Sequence, residues 1–183
     1  MDAQAHITGG PAVGVEQMLA AGELRAARPA AALAHFERPL VSLTAVMPGP
    51  VKDGALPRRV LAQALHALEA SLRGRRWRVL SRRVLWRNTG PEALYVVETD
   101  AGPLKSATIE LEDRHPWGRL WDLDVLAPGP RILSRKELGF AARRCLVCER
   151  PAAECGRSRR HGVEDLLIAI GNLVNGSDLR RAA

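Results

Sequence analysis

At 183 residues, 46% hydrophobic and 26% charged, the chain is long enough to bury a core as one domain and too apolar for wholesale disorder. No apolar run approaches the ~20 residues of a membrane-spanning helix, and Met1-Asp2-Ala3-Gln4-Ala5-His6 lacks the basic start and apolar stretch of a secretory signal. A cytoplasmic protein is expected, and a net charge of +7, nearly all from arginine, calls for an anionic partner: nucleic acid, a phosphorylated cofactor or an acidic protein.

Residues 1–12 read as a flexible tail broken by Gly9-Gly10-Pro11. Val15, Met18, Leu19 and Leu24 fall at helical spacing, which predicts a helix over 13–28 ending near Pro29. Leu40 to Met47 mixes β-branched and apolar residues and stops at Pro48-Gly49-Pro50, a buried strand feeding a loop. Apolar residues at 60, 61, 64, 65, 68 and 72 mark an amphipathic helix over 56–72. Trp77–Trp86 and Ala93–Thr99 read as strands around Asn88-Thr89-Gly90-Pro91, and Thr108–Glu112 and Asp122–Leu126 alternate with period two. Arginine and cysteine cluster from Gly139 to residue 161, and Val163–Val174 forms a last helix with Leu166, Leu167, Ile170 and Leu173 on one face. The order predicts an α+β domain, a mostly antiparallel sheet flanked by helices. Its core would span 13–138, with a Cys/His loop and C-terminal helix over 139–178 packed on it.

Asp122 and Asp124 lie two apart on a predicted strand, so both carboxylates leave one face while Leu123 and Val125 point inward. Glu110 and Glu112 repeat the pattern one strand earlier. Four carboxylates on paired strands repel unless a cation or basic groups neutralise them, and hard oxygen ligands suit Mg²⁺ beside phosphate. A solvated sheet face is the competing reading, but here His115-Pro116-Trp117-Gly118-Arg119 crowds the connection just before the pair. Lys52 sits in the Pro48–Asp53 loop between a strand and a helix, where backbone N–H groups favour anions. Arg119, Arg131 and Arg135 flank the acidic strand.

All three cysteines fall in Cys145-x₂-Cys148-x₆-Cys155, with His161 six residues further on. Three thiolates and an imidazole complete the tetrahedral shell of a structural Zn²⁺; free reduced thiols are the alternative. The loop carries arginines but only Phe140 as a nearby stacking platform, which argues against nucleic acid.

The stretches 39–53 (PLVSLTAVMPGPVKD), 107–126 (ATIELEDRHPWGRLWDLDVL), 132–139 (ILSRKELG) and 143–161 (RRCLVCERPAAECGRSRRH) together resemble the apo-citrate lyase phosphoribosyl-dephospho-CoA transferase family, or citrate lyase holo-acyl-carrier-protein synthases. The resemblance implies a nucleotidyltransferase-type enzyme. Its donor would be 2′-(5″-triphosphoribosyl)-3′-dephospho-CoA, its acceptor a serine of the citrate lyase acyl carrier (gamma) subunit, and its leaving group diphosphate. In that chemistry Asp122 and Asp124 would hold Mg²⁺, with Glu110 or Glu112 as a further ligand or base. Lys52, Arg119 and Arg135 would neutralise the triphosphate, and His115 is an acid–base candidate. The run Trp117–Asp124 is also similar to the W-G-P-R-x-x-D-L-D signature of pterin pyrophosphokinases, though one residue shorter and without the proline. That points to a ferredoxin-like sheet, with a polymerase-β-type nucleotidyltransferase fold as the second option. A pyrophosphokinase acting on a small alcohol and a zinc-containing nucleic-acid-binding module are the alternative functions.

Overall fold

The computed structural model describes residues 9–129 and 131–182, with side chains to residue 176. Its elements in chain order are α1 (Val15–Phe36), β1 (Leu40–Ala45), α2 (Ala55–Gly74), β2 (Arg78–Leu85), β3 (Glu92–Glu98) and α3 (Ala101–Arg114). A 3₁₀ turn (Gly118–Leu120) then leads to β4 (Trp121–Ala127), β5 (Arg131–Leu133), a second 3₁₀ turn (Lys136–Leu138), α4 (Ala152–Ser158) and α5 (Val163–Ala182). The strands form one antiparallel sheet in the order β2-β3-β1-β4-β5. Strands β1 and β2 both run opposite to β3, which lies between them; β3 and β4 both run opposite to β1. These are two split β-α-β units, the ferredoxin-like arrangement, extended by the short β5 at one edge.

Alternation along the strands sorts side chains to two faces. Val41, Leu43, Tyr95, Leu123 and Val125 point to the face covered by α2 and α3 and form the main core with Leu61, Leu68 and Leu104. Ile170 and Val174 of α5 join that core. Leu40 and Val96 point the other way and pack with Leu33 of α1. Helix α1 covers only part of this second face.

Two expectations need correction. Thr108–Glu112 is not a strand but the last part of α3. Leu104, Lys105, Thr108, Ile109 and Glu112 are buried, the one-sided spacing of a helix. The alternation of Ile109 and Leu111 was a five-residue coincidence. Helix α1 does not end at Pro29; it carries that proline, buried, and runs on to Phe36. A proline inside a helix removes one i→i−4 bond; here Pro29 is buried and the helix continues to Leu33, which packs on Leu40 and Val96 of the sheet. The tail reading for 1–12 lies mostly outside the described residues, but Ala12 bridges to Val51 and the Val13 N–H donates to the Pro50 carbonyl at 2.9 Å. Among the described residues, no helix is long and apolar enough to cross a membrane.

Gly118 sets how closely the start of β4 approaches α3. A Cβ there would lie 2.4 Å from the Leu111 carbonyl oxygen and 2.5 Å from that of Glu112, distances no side chain tolerates. The absence of a side chain lets Trp117, Leu120 and Trp121 enter the core directly behind α3.

Candidate active site

Strand β4 alternates buried Trp121, Leu123 and Val125 with half-exposed Asp122 and Asp124. Both carboxylates therefore leave the sheet on the face opposite the main core. Asp124 is in register with Ser42 and Asp122 with Thr44. On the other side of β4, β5 pairs only with Val125–Ala127, which leaves the edge of β4 open at Leu123. Helix α3 fills that gap: Lys105 Nζ donates to the Leu123 carbonyl at 3.0 Å, and Glu112 accepts the Leu123 N–H at 2.9 Å.

Arg135, just after β5, holds the other oxygen of Glu112 at 2.6 Å and also reaches Asp113. Arg143 stands against Asp122 at 3.3 Å, with Glu112 at 3.8 Å, and donates to the carbonyls of Trp121 (2.7 Å) and Arg119 (3.2 Å). Together Lys105, Glu112, Asp122, Asp124, Arg135 and Arg143 line a cavity of about 620 Å³, as do Ser134 and Lys136. Burial pushes the Asp124 carboxyl above the ordinary range, and the neighbouring Asp122 charge adds to this; Lys105 and Arg143 pull it back only in part. A pair of carboxylates so placed is stabilised by a cation brought between them.

The other residues singled out from sequence fall elsewhere. Glu110 does not share a face with the aspartates, because residues two apart on a helix diverge by about 200°. It pairs with Arg75 and Arg114, each at 2.6 Å, on the far side of α3. His115 ends α3 with its ring against Trp121, 4.3 Å between centroids, and its Nδ1 accepts the Trp117 N–H. It does not line the aspartate cavity. Arg131 is exposed and paired with Glu137 at 2.8 Å. Arg119 donates to the Arg144 carbonyl and lines a second, adjoining cavity. Lys52 donates to the Met47 carbonyl at 2.5 Å, and burial followed by the nearby Arg25 lowers its pKa.

Lys105 and Arg143, which sequence reasoning did not place in the site, line the aspartate cavity directly. The spacing of Lys105, Thr108 and Glu112 along one buried stripe of α3 was the available signal for the lysine.

The cysteine segment folds as a compact knuckle. The Cys145 N–H donates to the Arg150 carbonyl at 2.7 Å, and Arg144 bridges to Pro151. One ligand atom each from Cys145, Cys148, Cys155 and His161 lies within 4.8 Å of every other. The Cys148 and Cys155 sulfurs are 3.6 Å apart, and His161 Nε2 is 3.3 Å from the Cys148 sulfur. Tetrahedral bonds of about 2.3 Å to sulfur put ligand sulfurs roughly 3.8 Å apart, so this spacing fits a metal ion. Burial works to raise the Cys145 thiol, but the Val147 and Cys148 N–H groups and the thiols of Cys155 and Cys148 outweigh it and hold it below its usual value. The cluster could hold a metal ion.

Residues 13–176 match the family described as apo-citrate lyase phosphoribosyl-dephospho-CoA transferase. The chain belongs to this family. A protein of that name from Citrobacter koseri is 45% identical over 167 residues, covering 91% of both chains. Relatives of the same name from Shigella flexneri and Escherichia coli O7:K1 are each 42% identical over 167 residues, again covering 91% of both chains. Membership makes the chain a transferase, and the match takes in α1 through most of α5, so the aspartate cavity and the Cys/His knuckle both lie inside the family's span.

Proposed function

We propose that the chain transfers the 2′-(5″-phosphoribosyl)-3′-dephospho-CoA group from its triphosphoribosyl precursor to a serine of the citrate lyase acyl carrier subunit. This is nucleotidyltransferase chemistry: the serine oxygen bonds to the phosphorus nearest the ribose, the bond to the next phosphate breaks, and diphosphate leaves. The observation that carries the reading is the Asp122/Asp124 pair in a cavity walled by Lys105, Arg135 and Arg143. Such transfer needs chiefly positioning and neutralisation of negative charge, and this cavity combines a carboxylate pair with several cations.

Asp122 and Asp124 would hold the Mg²⁺ of this reaction; the raised pKa of Asp124 marks an electrostatic demand that a hard dication meets. When bound, the ion held by Asp122 and Asp124 would supply positive charge to offset that developing on the diphosphate. Arg143 orients Asp122, while Arg135 and Lys136 face the cavity where a polyphosphate would lie. Glu112 has both oxygens engaged, by Leu123 and by Arg135, and acts as a positioning residue. Zn²⁺ bound by Cys145, Cys148, Cys155 and His161 would be structural, since four protein ligands close its shell. Basic surface suits both an anionic donor and an acidic carrier protein.

The test is intact-mass measurement of the apo-carrier subunit after incubation with this protein, the triphosphoribosyl donor and Mg²⁺. A gain equal to phosphoribosyl-dephospho-CoA on one serine peptide is expected. An unmodified carrier, with the protein shown to be folded, overturns the reading.

A further inference from the structure

Beside the aspartate cavity lies a second one of about 650 Å³, within the size range of small-molecule sites. The two adjoin: Arg143 and Ala152 line both. The first carries carboxylates and cations together, while no carboxylate lines the second. The second has a mainly apolar wall from Val46, Leu146, Val163 and Leu166, with Arg119 and Arg159 beside it. Neither arginine forms an ion pair among the described residues. The Arg119 guanidinium is partly desolvated and, among the described residues, meets a backbone carbonyl, that of Arg144, and no carboxylate; burial followed by the adjacent Arg143 lowers its pKa. A guanidinium taken from water without a counter-ion is costly until an anion reaches it.

An apolar wall beside one partly desolvated and one exposed guanidinium, neither ion-paired among the described residues, matches a ligand that is part flat or aliphatic and part anionic. The geometry points to this second cavity as the subsite for the dephospho-CoA half of the donor. Apolar side chains would take its adenine and pantetheine surface, and Arg119 and Arg159 its 5′-diphosphate. The inference rests on the proposed transfer reaction and deepens it. The donor would span both cavities, its reactive phosphorus at Asp122 and Asp124 and its nucleotide end beyond Arg143. The wall of the second cavity includes Cys145, Cys155 and His161, so the Cys/His knuckle shapes the nucleotide site.

Dephospho-CoA itself is the probe, titrated calorimetrically into the full chain without donor or carrier. Saturable one-to-one binding is expected. Arg159→Ala, at an exposed position whose side chain makes no hydrogen bond or ion pair among the described residues, should weaken it about tenfold, the loss of one charge-assisted contact. Leu166→Trp, which fills the cavity, should reduce it further, while Arg131→Ala, exposed and paired with Glu137 outside both cavities, should leave it within about twofold. Absence of binding to the wild type, or equal affinity in wild type and Arg159→Ala, overturns the assignment even if carrier modification proceeds. If carrier modification fails but dephospho-CoA binds and Arg159→Ala weakens it, the transfer reading falls and the nucleotide subsite stands. Should Leu166→Trp not fold, the Arg159→Ala comparison decides alone.

Discussion

Lys105 and Glu112, seven residues apart on α3, grip the same residue of β4 from opposite polarity: the lysine takes the Leu123 carbonyl and the glutamate its N–H. They replace the strand partner that β5 is too short to provide. An open strand edge buried without partners carries a penalty for each group, so these two charged side chains are buried for a backbone reason. They also fix β4 at the point from which Asp122 and Asp124 project.

Glu112→Ala should therefore be among the most damaging single changes. It strands both the Leu123 N–H and the Arg135 guanidinium, and breaking a buried charged pair costs about 3–5 kcal/mol. Glu112→Gln keeps an acceptor for Leu123 and should cost less. Urea unfolding of both variants checks the order; equal stability of Glu112→Ala and wild type would remove the edge-capping role.

Asp122→Ala and Asp124→Ala should lower carrier modification by roughly 10²–10³-fold, the usual scale for losing one electrostatic stabiliser of a transition state. Far-UV circular dichroism should stay unchanged, because both side chains project away from the main core. For Asp124 the pH sign is specific. Its folded pKa is raised, by burial first and by Asp122 second, so the unfolded chain releases that proton at lower pH. Stability is lost as pH rises from the ordinary aspartate value through the raised one. Asp124→Asn should flatten that slope, measured as unfolding free energy against pH in the absence of divalent ions.

Asp53, at the entrance to α2 beside Lys52, behaves in the opposite sense. Arg58 holds it through two 2.8 Å contacts. That side-chain bond, opposed by burial and helped by the Gly54 N–H, depresses its pKa. The contribution to stability is present above the ordinary carboxylate range and is lost as pH falls through the lower folded value. Asp53→Asn should be less stable than wild type at pH 7, with the gap closing in acid. A gap that stays constant with pH would show that Asp53 acts through packing instead.

What the sequence disclosed and what it hid divide along a physical line. Asp122 and Asp124 were legible because β4 alternates cleanly against a buried Trp121, Leu123 and Val125, a local pattern with one solution. The Cys/His cluster was legible because four ligand residues fall within 17 positions, 145 to 161. Glu110 and Glu112 were misread because the TIELE run alternates over five residues while also fitting the α3 periodicity, and only the flanking residues from Leu104 decide between them. Lys105 and Arg143 were hidden for a different reason. Their roles depend on where β5 ends and on how the loop after residue 139 returns over β4, relationships that no local window contains. His115 illustrates the converse: a histidine adjacent in sequence to an acidic strand stacks on Trp121 and does not line the aspartate cavity.

The knuckle supplies the remaining prediction, because Arg143 lies two residues before Cys145. Arg143 donates to the Trp121 carbonyl and pairs with Asp122, while Arg119 donates back to the Arg144 carbonyl. Whatever fixes the knuckle therefore fixes a cation of the aspartate cavity. Elemental analysis should find about one zinc per chain, and Cys148→Ser should lose it. Chelation should lower the thermal midpoint by roughly 5 °C or more, about 2 kcal/mol for a chain of this size, and should depress carrier modification because Arg143 is released from Asp122. Exact restoration by zinc, but not by added Mg²⁺ alone, separates this structural ion from the one proposed at the aspartates. A fully active, equally stable protein without zinc would mean that the four side chains stand together as free thiols and imidazole, held by the backbone bonds of the knuckle alone.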